Sequence, residues 1–309
     1  MRVVKGSASA VNLYTHCPFA YFARYILGID SGTGKSALQG KIVHLALEWM
    51  SRLKKHGKTD VDPMWLLNRA WDELADSCHG IELRKVTTRI DKETGEFKEA
   101  ADFKKCRIAM ETILGDPFYN PYGLNVLDIE KWFEIELPGE EWQCQDQDGN
   151  LHQFTVRGLI DAVNEIDKDT LEIIDWKTGN RKDFYTQTPI DEEALTREVQ
   201  PRLYHLAAYF MYPRYKNILI TFYYANDGGP ITISLSQDDI AVTIASLYGF
   251  FSTISKDTLI RRNRRWTCRM CRLSKGDMCS KIWSDLHTLG GEYVHDRYGG
   301  KTCQEIIGD

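Results

Sequence analysis

The sequence predicts an α/β protein: a central mixed β-sheet flanked by helices, with a helical insertion and a cysteine clasp near the C-terminal end. Three observations lead there. Up to about residue 115 the apolar residues recur at helical spacing, whereas from Val126 onward segments rich in β-branched and aromatic residues take over. A long amphipathic pattern from Asp191 to Met211 separates the first three strand segments from the last two. Helices, three strands, a helix, more strands and a final helix, in that order, imply a sheet joined by both hairpins and crossovers.

Taken along the chain, Ser7 or Ser9 can cap a first helical stretch from about Ala10 to Ile29, with Pro18 marking a bend. The Gly-rich segment from Gly28 to Gly40 then breaks the pattern, and a second helix follows to Gly57 with His44 one turn inside it. From Asp62 to Leu114 the spacing is again helical, interrupted over Arg89 to Phe103 by charges and a glycine that read as an exposed loop or small hairpin. Strand patterns cover Val126 to Leu137, Arg157 to Asp167, Leu171 to Gly179, Asn217 to Asn226 and Gly229 to Leu235, and a last amphipathic helix runs from Gln237 to Ile254. The chain is read as one domain over 1–309. Within it lie an N-terminal helical segment over 1–30 with Cys17, a helical region with an insertion over 40–115, the sheet and its helices over 124–256, and an Arg-rich segment with cysteines over 257–309.

The 309 residues, 43% of them hydrophobic, suffice for a sizeable core. No stretch approaches the ~18 uninterrupted apolar residues of a membrane span, and the N-terminus carries no apolar run after its first charges. A cytoplasmic location and no membrane partner are expected. The net charge of −5 argues against indiscriminate polyanion binding. Its distribution matters more: Arg261, Arg262, Arg264, Arg265 and Trp266, followed by Arg269 and Arg272, form a dense cationic run. Such a run is either a solvated basic loop or a phosphate contact, with Trp266 stacking on an unpaired base or anchoring in the core. Gly34, Lys35 and Ser36 resemble the end of a phosphate-binding loop, but Ile29 replaces the required glycine and a helix precedes, so ATP binding is not expected.

The chemistry concentrates in the two central strand segments. Side chains alternate along a strand, so Asp175 and Lys177 share one face, and Asp161 on the neighbouring antiparallel strand can reach the same point. In an otherwise apolar hairpin these charges are costly unless a cation or one another compensates them. The bland alternative is a buried Asp–Lys ion pair. Two carboxylates and a lysine also suit phosphodiester hydrolysis with Mg²⁺ or Mn²⁺, hard cations that select oxygen ligands, the lysine handling the attacking water and the developing charge. His44 adds an imidazole, and Gln200 and Tyr204, at i and i+4, share one face of the later helix, where they can contact a phosphate or the attacking water.

The order His44, GLID ending at Asp161, IIDWKTG carrying Asp175 and Lys177, and QPRLY carrying Gln200 and Tyr204 resembles the RecB-type branch of the PD-(D/E)xK nuclease superfamily. That branch includes the Cas4 proteins, the AddB nuclease domain and many phage exonucleases. The resemblance implies a restriction-endonuclease-like core, a DNA substrate, a catalytic Mg²⁺ or Mn²⁺ on Asp161, Asp175 and His44, Lys177 as the catalytic lysine, and Gln200 with Tyr204 as the supporting motif. Glu130 lies where relatives often carry an acid, and is an accessory ligand or a solvated strand carboxylate. The implied activity is a DNA exonuclease of phage or bacterial recombination, repair or replication, with a Cas4-like nuclease and a non-catalytic DNA-binding scaffold as alternatives. Helicase motifs are absent, so any unwinding falls to a helicase or recombination partner.

Eight cysteines without a secretory signal point to metal ligation rather than disulfides. Cys268 and Cys271 form a CxxC, Cys279 follows after seven residues, and Cys17 lies near the other terminus. Spacing alone allows a Cys₄ zinc site or an iron-sulfur cluster. The resemblance implies a [4Fe-4S] cluster on these four, with Cys303 in reserve, while Cys78, Cys106 and Cys144 are expected to be ordinary thiols.

Overall fold

The computed structural model describes residues 5–30, 34–75, 88–90, 93, 95, 97–145, 150–183, 186–256, 260–263, 266–269 and 271–308. Arg264, Arg265 and Cys78 lie outside the described residues, as does part of the segment expected to form the loop or hairpin before Phe103. In chain order the elements are β1 (Lys5–Gly6), α1 (Ala8–His16), α2 (Pro18–Tyr21), α3 (Lys35–Lys55), α4 (Pro63–Ala75), β2 (Thr88–Ile90), β3 (Phe97–Glu99), α5 (Ala101–Gly115), β4 (Val126–Glu136), β5 (Gln143–Gln145), β6 (Leu151–Gln153), β7 (Thr155–Glu165) and β8 (Thr170–Lys177). Then follow α6 (Glu192–Arg197), α7 (Val199–Met211), β9 (Asn217–Tyr224), β10 (Gly229–Ser234), α8 (Asp238–Lys256), α9 (Met278–Leu289), α10 (Gly291–Tyr298) and α11 (Cys303–Gly308).

The α/β class and the mixed sheet are as expected. Six strands form one sheet in the order β1-β7-β8-β9-β10, with β4 also paired to β7. β7 and β8 are an antiparallel hairpin, β8 and β9 are parallel across the α6–α7 connection, and β9 and β10 are antiparallel. β2 with β3 and β5 with β6 make two small antiparallel hairpins, the first within the expected interruption and the second not foreseen in the sequence.

Local chemistry explains the element ends. Ser7 caps α1 by accepting from the Ala10 N–H at 3.3 Å, and Pro18 stands at the first position of α2, where its missing N–H is harmless. The stretch read as one helix from Asp191 to Met211 is two, broken at Glu198, whose backbone is extended. Pro201 is the cause: a continuous helix would need its absent N–H to reach the Arg197 carbonyl, and its ring would clash there. Asp191 caps α6 through the Ala194 N–H at 2.8 Å. The helices α9 to α11 were not foreseen.

The chain divides into two compact units. One comprises Thr33–Phe133 and Leu159–Gln237. Its core joins Leu38, Ile42, Val43, Ala46, Leu47 and Met50 of α3 to Leu67 and Trp71 of α4, Phe103 and Met110 of α5, and Ala162, Ile174 and Trp176 of the hairpin. The other comprises Met1–Gly32, Glu134–Gly158 and Asp238–Asp309. It packs Phe19, Phe22 and Leu27 against Leu273, Met278, Ile282, Val294 and Tyr298. Among the described residues no helix is long and apolar enough to cross a membrane.

Candidate functional site

The β7–β8 ladder runs from Glu165 opposite Leu171 to Ala162 opposite Ile174, so Asp161 and Asp175 come next, where the regular pairing stops. The Trp176 N–H, freed there from the ladder, is taken by Asp161 Oδ2 at 3.0 Å. Both acids are buried, Asp161 at 8% and Asp175 at 2% exposure. Asp175 and Lys177 share a face as expected, with Lys177 Nζ 3.0 Å from Oδ2 and 2.8 Å from Oδ1.

Two further contacts reach Asp175 from α7, and a third reaches Lys177. Gln200 Nε2 donates to Oδ2 at 2.8 Å, the Tyr204 hydroxyl lies 2.9 Å from the same oxygen, and Gln200 Oε1 accepts from Lys177 at 3.1 Å. The Tyr204 hydroxyl also accepts from Gln200 at 2.7 Å and reaches the Leu159 carbonyl at 3.0 Å. The shared helix face of Gln200 and Tyr204 is thus turned to the Asp175 carboxylate and Lys177. Asp175 Oδ1 is buried without a hydrogen bond, since Lys177 approaches it without hydrogen-bond alignment.

His44 arrives from α3. Ile42, Val43, Ala46 and Leu47 bury the opposite face of that helix, which leaves His44 and Glu48 half-buried. His44 Nδ1 lies 3.3 Å from Asp161 Oδ2. Glu130 completes the group from β4, and its backbone takes φ 47° in the middle of a strand. A non-glycine residue held in this left-handed region costs on the order of 1–3 kcal/mol and concentrates at functional sites. His44, Glu130 and Asp161 each offer one donor atom, all within 4.8 Å of one another.

The charges are poised for a cation. Burial, then the charges of Asp161 and Glu48, push the Glu130 acid up to about 7. Burial likewise raises Asp175, reinforced by Asp161 and opposed by Lys177. Burial opposes a charged His44, yet the charge and hydrogen bond of Asp161, with Asp175 behind, raise it to about 9. Burial also works against ionised Asp161, but His44 and Lys177 hold its acidity stronger than usual. Two acids with weakened acidity, a buried carboxylate oxygen that makes no hydrogen bond and a converging imidazole form a donor set that suits a hard divalent cation. Glu48, one helical turn beyond His44, is the acid that sequence reading missed; its i+4 spacing from His44 was the available signal.

The remaining predicted residues lie in the other unit. Cys17, Cys268, Cys271 and Cys279 line one cavity of about 300 Å³, together with Arg262 and Asn263. Cys303 is not among the lining residues; it packs against the apolar core of that unit. Asn263 donates to the His16 carbonyl at 2.9 Å, and the Arg261 carbonyl accepts from the Phe19 N–H at 3.0 Å, so the two chain ends are stitched beside the thiols. Arg262 donates to Ser280 Oγ at 3.0 Å and lies over the Trp283 ring at 5.1 Å. Cys106 is buried in the first unit, where burial, then Asp102, push its thiol up to about 12, as suits an inert core thiol.

The profile of the PD-(D/E)XK nuclease superfamily matches residues 5–275, and the chain belongs to that superfamily. No curated protein sequence matches it. Among solved structures, a candidate exonuclease from Eubacterium rectale is similar over 88% of this chain and 88% of its own, with 12% identity and a TM-score of 0.48. The protein SSO0001 is similar over 83% of this chain and 92% of its own, with 11% identity and a TM-score of 0.30.

Proposed function

We propose that this chain is a Mg²⁺- or Mn²⁺-dependent deoxyribonuclease, an exonuclease that trims DNA ends in recombination, repair or replication. The observation that carries the reading is the convergence of His44, Glu130 and Asp161 within 4.8 Å, beside the buried Asp175 carboxylate, whose Oδ1 makes no hydrogen bond and meets the Lys177 ammonium at 2.8 Å. Asp161, Asp175 and His44 would hold the cation, with Glu130 as an accessory ligand. Bound there, a divalent ion would supply a Lewis acid for the phosphate and make a bound water a stronger acid than bulk water. Lys177, whose ammonium pairs with Asp175 and donates to Gln200, would neutralise the charge that grows on a phosphate oxygen as the bond breaks. Gln200 and Tyr204 orient Asp175 by filling Oδ2, which keeps Oδ1 for the site. A non-catalytic scaffold would have no use for this intact set.

In the other unit, Cys17, Cys268, Cys271 and Cys279 are assigned to a structural [4Fe-4S] cluster. Tetrahedral zinc, with Zn–S bonds of ~2.3 Å, draws its sulfurs to ~3.8 Å of one another. All four thiols line one cavity, and four thiolates suit either group by themselves; the likeness to iron-sulfur members of the superfamily is what favours the cluster. A cluster would close a loop between chain ends and add its binding free energy to folding. Arg261, Arg262, Arg264 and Arg265 are assigned to DNA phosphates, and Trp266 to stacking on an unpaired base.

Degradation of end-labelled single- and double-stranded DNA in Mg²⁺ or Mn²⁺, with Asp175→Asn as control, tests the activity. Wild-type cleavage that the variant lacks is expected. No cleavage by the wild type with either ion, or equal cleavage by the variant, overturns it.

A further inference from the structure

A second cleft lies on the same helix that carries His44. It is about 410 Å³, of the size that ordinarily takes a small ligand, and sits between α3 and α4. Trp49 and Trp65 line it, with Arg52, His56 and Arg69 among its other walls. Trp65 is 55% exposed, an unusual state for the largest apolar side chain. Arg69 is exposed, and among the described residues it has no carboxylate partner. Arg52 pairs with Glu48 at 2.7 Å, but an exposed i,i+4 pair of this kind is weak and yields readily to a phosphate.

One helix face leads from the catalytic group to the cleft. His44, Glu48 and Arg52 follow one another at four-residue steps along one helix face, and both Glu48 and Arg52 act electrostatically on Glu130. Eight residues of helix separate His44 from Arg52, an axial distance of ~12 Å. A stacked strand covers that in about three to four nucleotides at ~3.4 Å each, and an extended strand in fewer.

Aromatic faces for bases, interleaved with cations for phosphates, are what binding of an unpaired strand requires, and a stacked duplex does not offer its base faces to such a cleft. We propose that the Trp49–Trp65 cleft stacks an unpaired base of the DNA strand held in the catalytic site, with Arg52 and Arg69 on its phosphates, so that the preferred substrate there is single-stranded. This rests on the nuclease reading for its role as a substrate subsite.

Binding of labelled oligothymidylate and of a blunt duplex of equal length, measured in chelator so that no strand is cut, separates the possibilities. Stacking removed by alanine is worth ~1–3 kcal/mol per base, and 1.4 kcal/mol is tenfold. Trp65→Ala should therefore weaken oligothymidylate binding roughly 5- to 150-fold, with duplex binding changed less than about twofold. Trp65→Phe should retain most of the single-strand affinity. Unchanged oligothymidylate binding by Trp65→Ala, equal losses on both DNAs, or a loss that Trp65→Phe shares in full would overturn the proposal. Cleavage by the wild type is scored separately: a chain that cuts no DNA but binds single strands through Trp65 keeps the cleft and loses the nuclease reading.

Discussion

Replacing Glu130 with glutamine should stabilise the metal-free protein and impair it as an enzyme. The acid rises from its ordinary 4.5 to about 7 through burial, Asp161 and Glu48. At about 1.4 kcal/mol per pKa unit, that displacement sets a ceiling of ~3 kcal/mol of destabilisation once both folded and unfolded states are ionised. Solvent still reaches part of the side chain, which reduces the figure to about 1–2 kcal/mol. The sign follows from proton counting. Between pH 4.5 and 7 the folded state holds the proton more tightly than the unfolded state, so the glutamate costs stability progressively as pH rises. Glutamine has no such cost. The two proteins should therefore match near pH 4.5 and diverge to a plateau above pH 7, where the variant melts roughly 2–6 °C higher in chelator. Saturating Mn²⁺ should reverse the order, because a bound ion at free concentration c stabilises by RT ln(1 + c/Kd) and the variant, which has lost a carboxylate ligand, binds it more weakly. Thermal melts at pH 5 and pH 8, with and without Mn²⁺, provide the measurement. A stability difference independent of pH, or a variant that gains as much from Mn²⁺ as the wild type, would refute the placement of Glu130 beside the cation.

Tyr204→Phe keeps the ring packed near Phe222 and removes only the hydroxyl that fills Asp175 Oδ2. We expect a loss of about 1–3 kcal/mol in urea denaturation and a 10- to 100-fold fall in kcat with KM little changed; an unchanged kcat would remove Tyr204 from the positioning of Asp175. Cys17→Ala should abolish stoichiometric iron and sulfide in anaerobically purified protein and lower its melting temperature, whereas a wild type that carries zinc and no iron would defeat the cluster assignment.

Much of the site was legible because strand and helix periodicities are local. Alternation alone puts Asp175 and Lys177 on one face, and four-residue spacing alone puts Gln200 and Tyr204 together. The bland reading of the hairpin, a buried Asp–Lys ion pair, is half present, since Lys177 does pair with Asp175. What turns the pair into a site is the Oδ1 atom left without a hydrogen bond and the imidazole brought to Asp161. Glu130 could not be decided from its pattern. A strand-face carboxylate looks the same in sequence whether it meets water or a cluster, and nothing local in the pattern announces its φ of 47°. The break in the helix before α7 was readable in principle from Pro201, whose effect falls four residues upstream of itself.

By itself the sequence determined the class of fold, five of the six strand segments of the main sheet, the candidate acids and lysine, and the candidate thiols. Each of these depends on residue type and on periods of two or about four residues, which neighbours in the chain impose through backbone geometry. Only the tertiary structure decided which oxygen Gln200 and Tyr204 hold, that Glu130 joins His44 and Asp161, that Cys17 shares a cavity with thiols some 250 positions away, and that Trp49 and Trp65 line one cleft between two helices. Those are distances between elements remote in sequence, set by strand register and by how buried faces pack, and no local period encodes them.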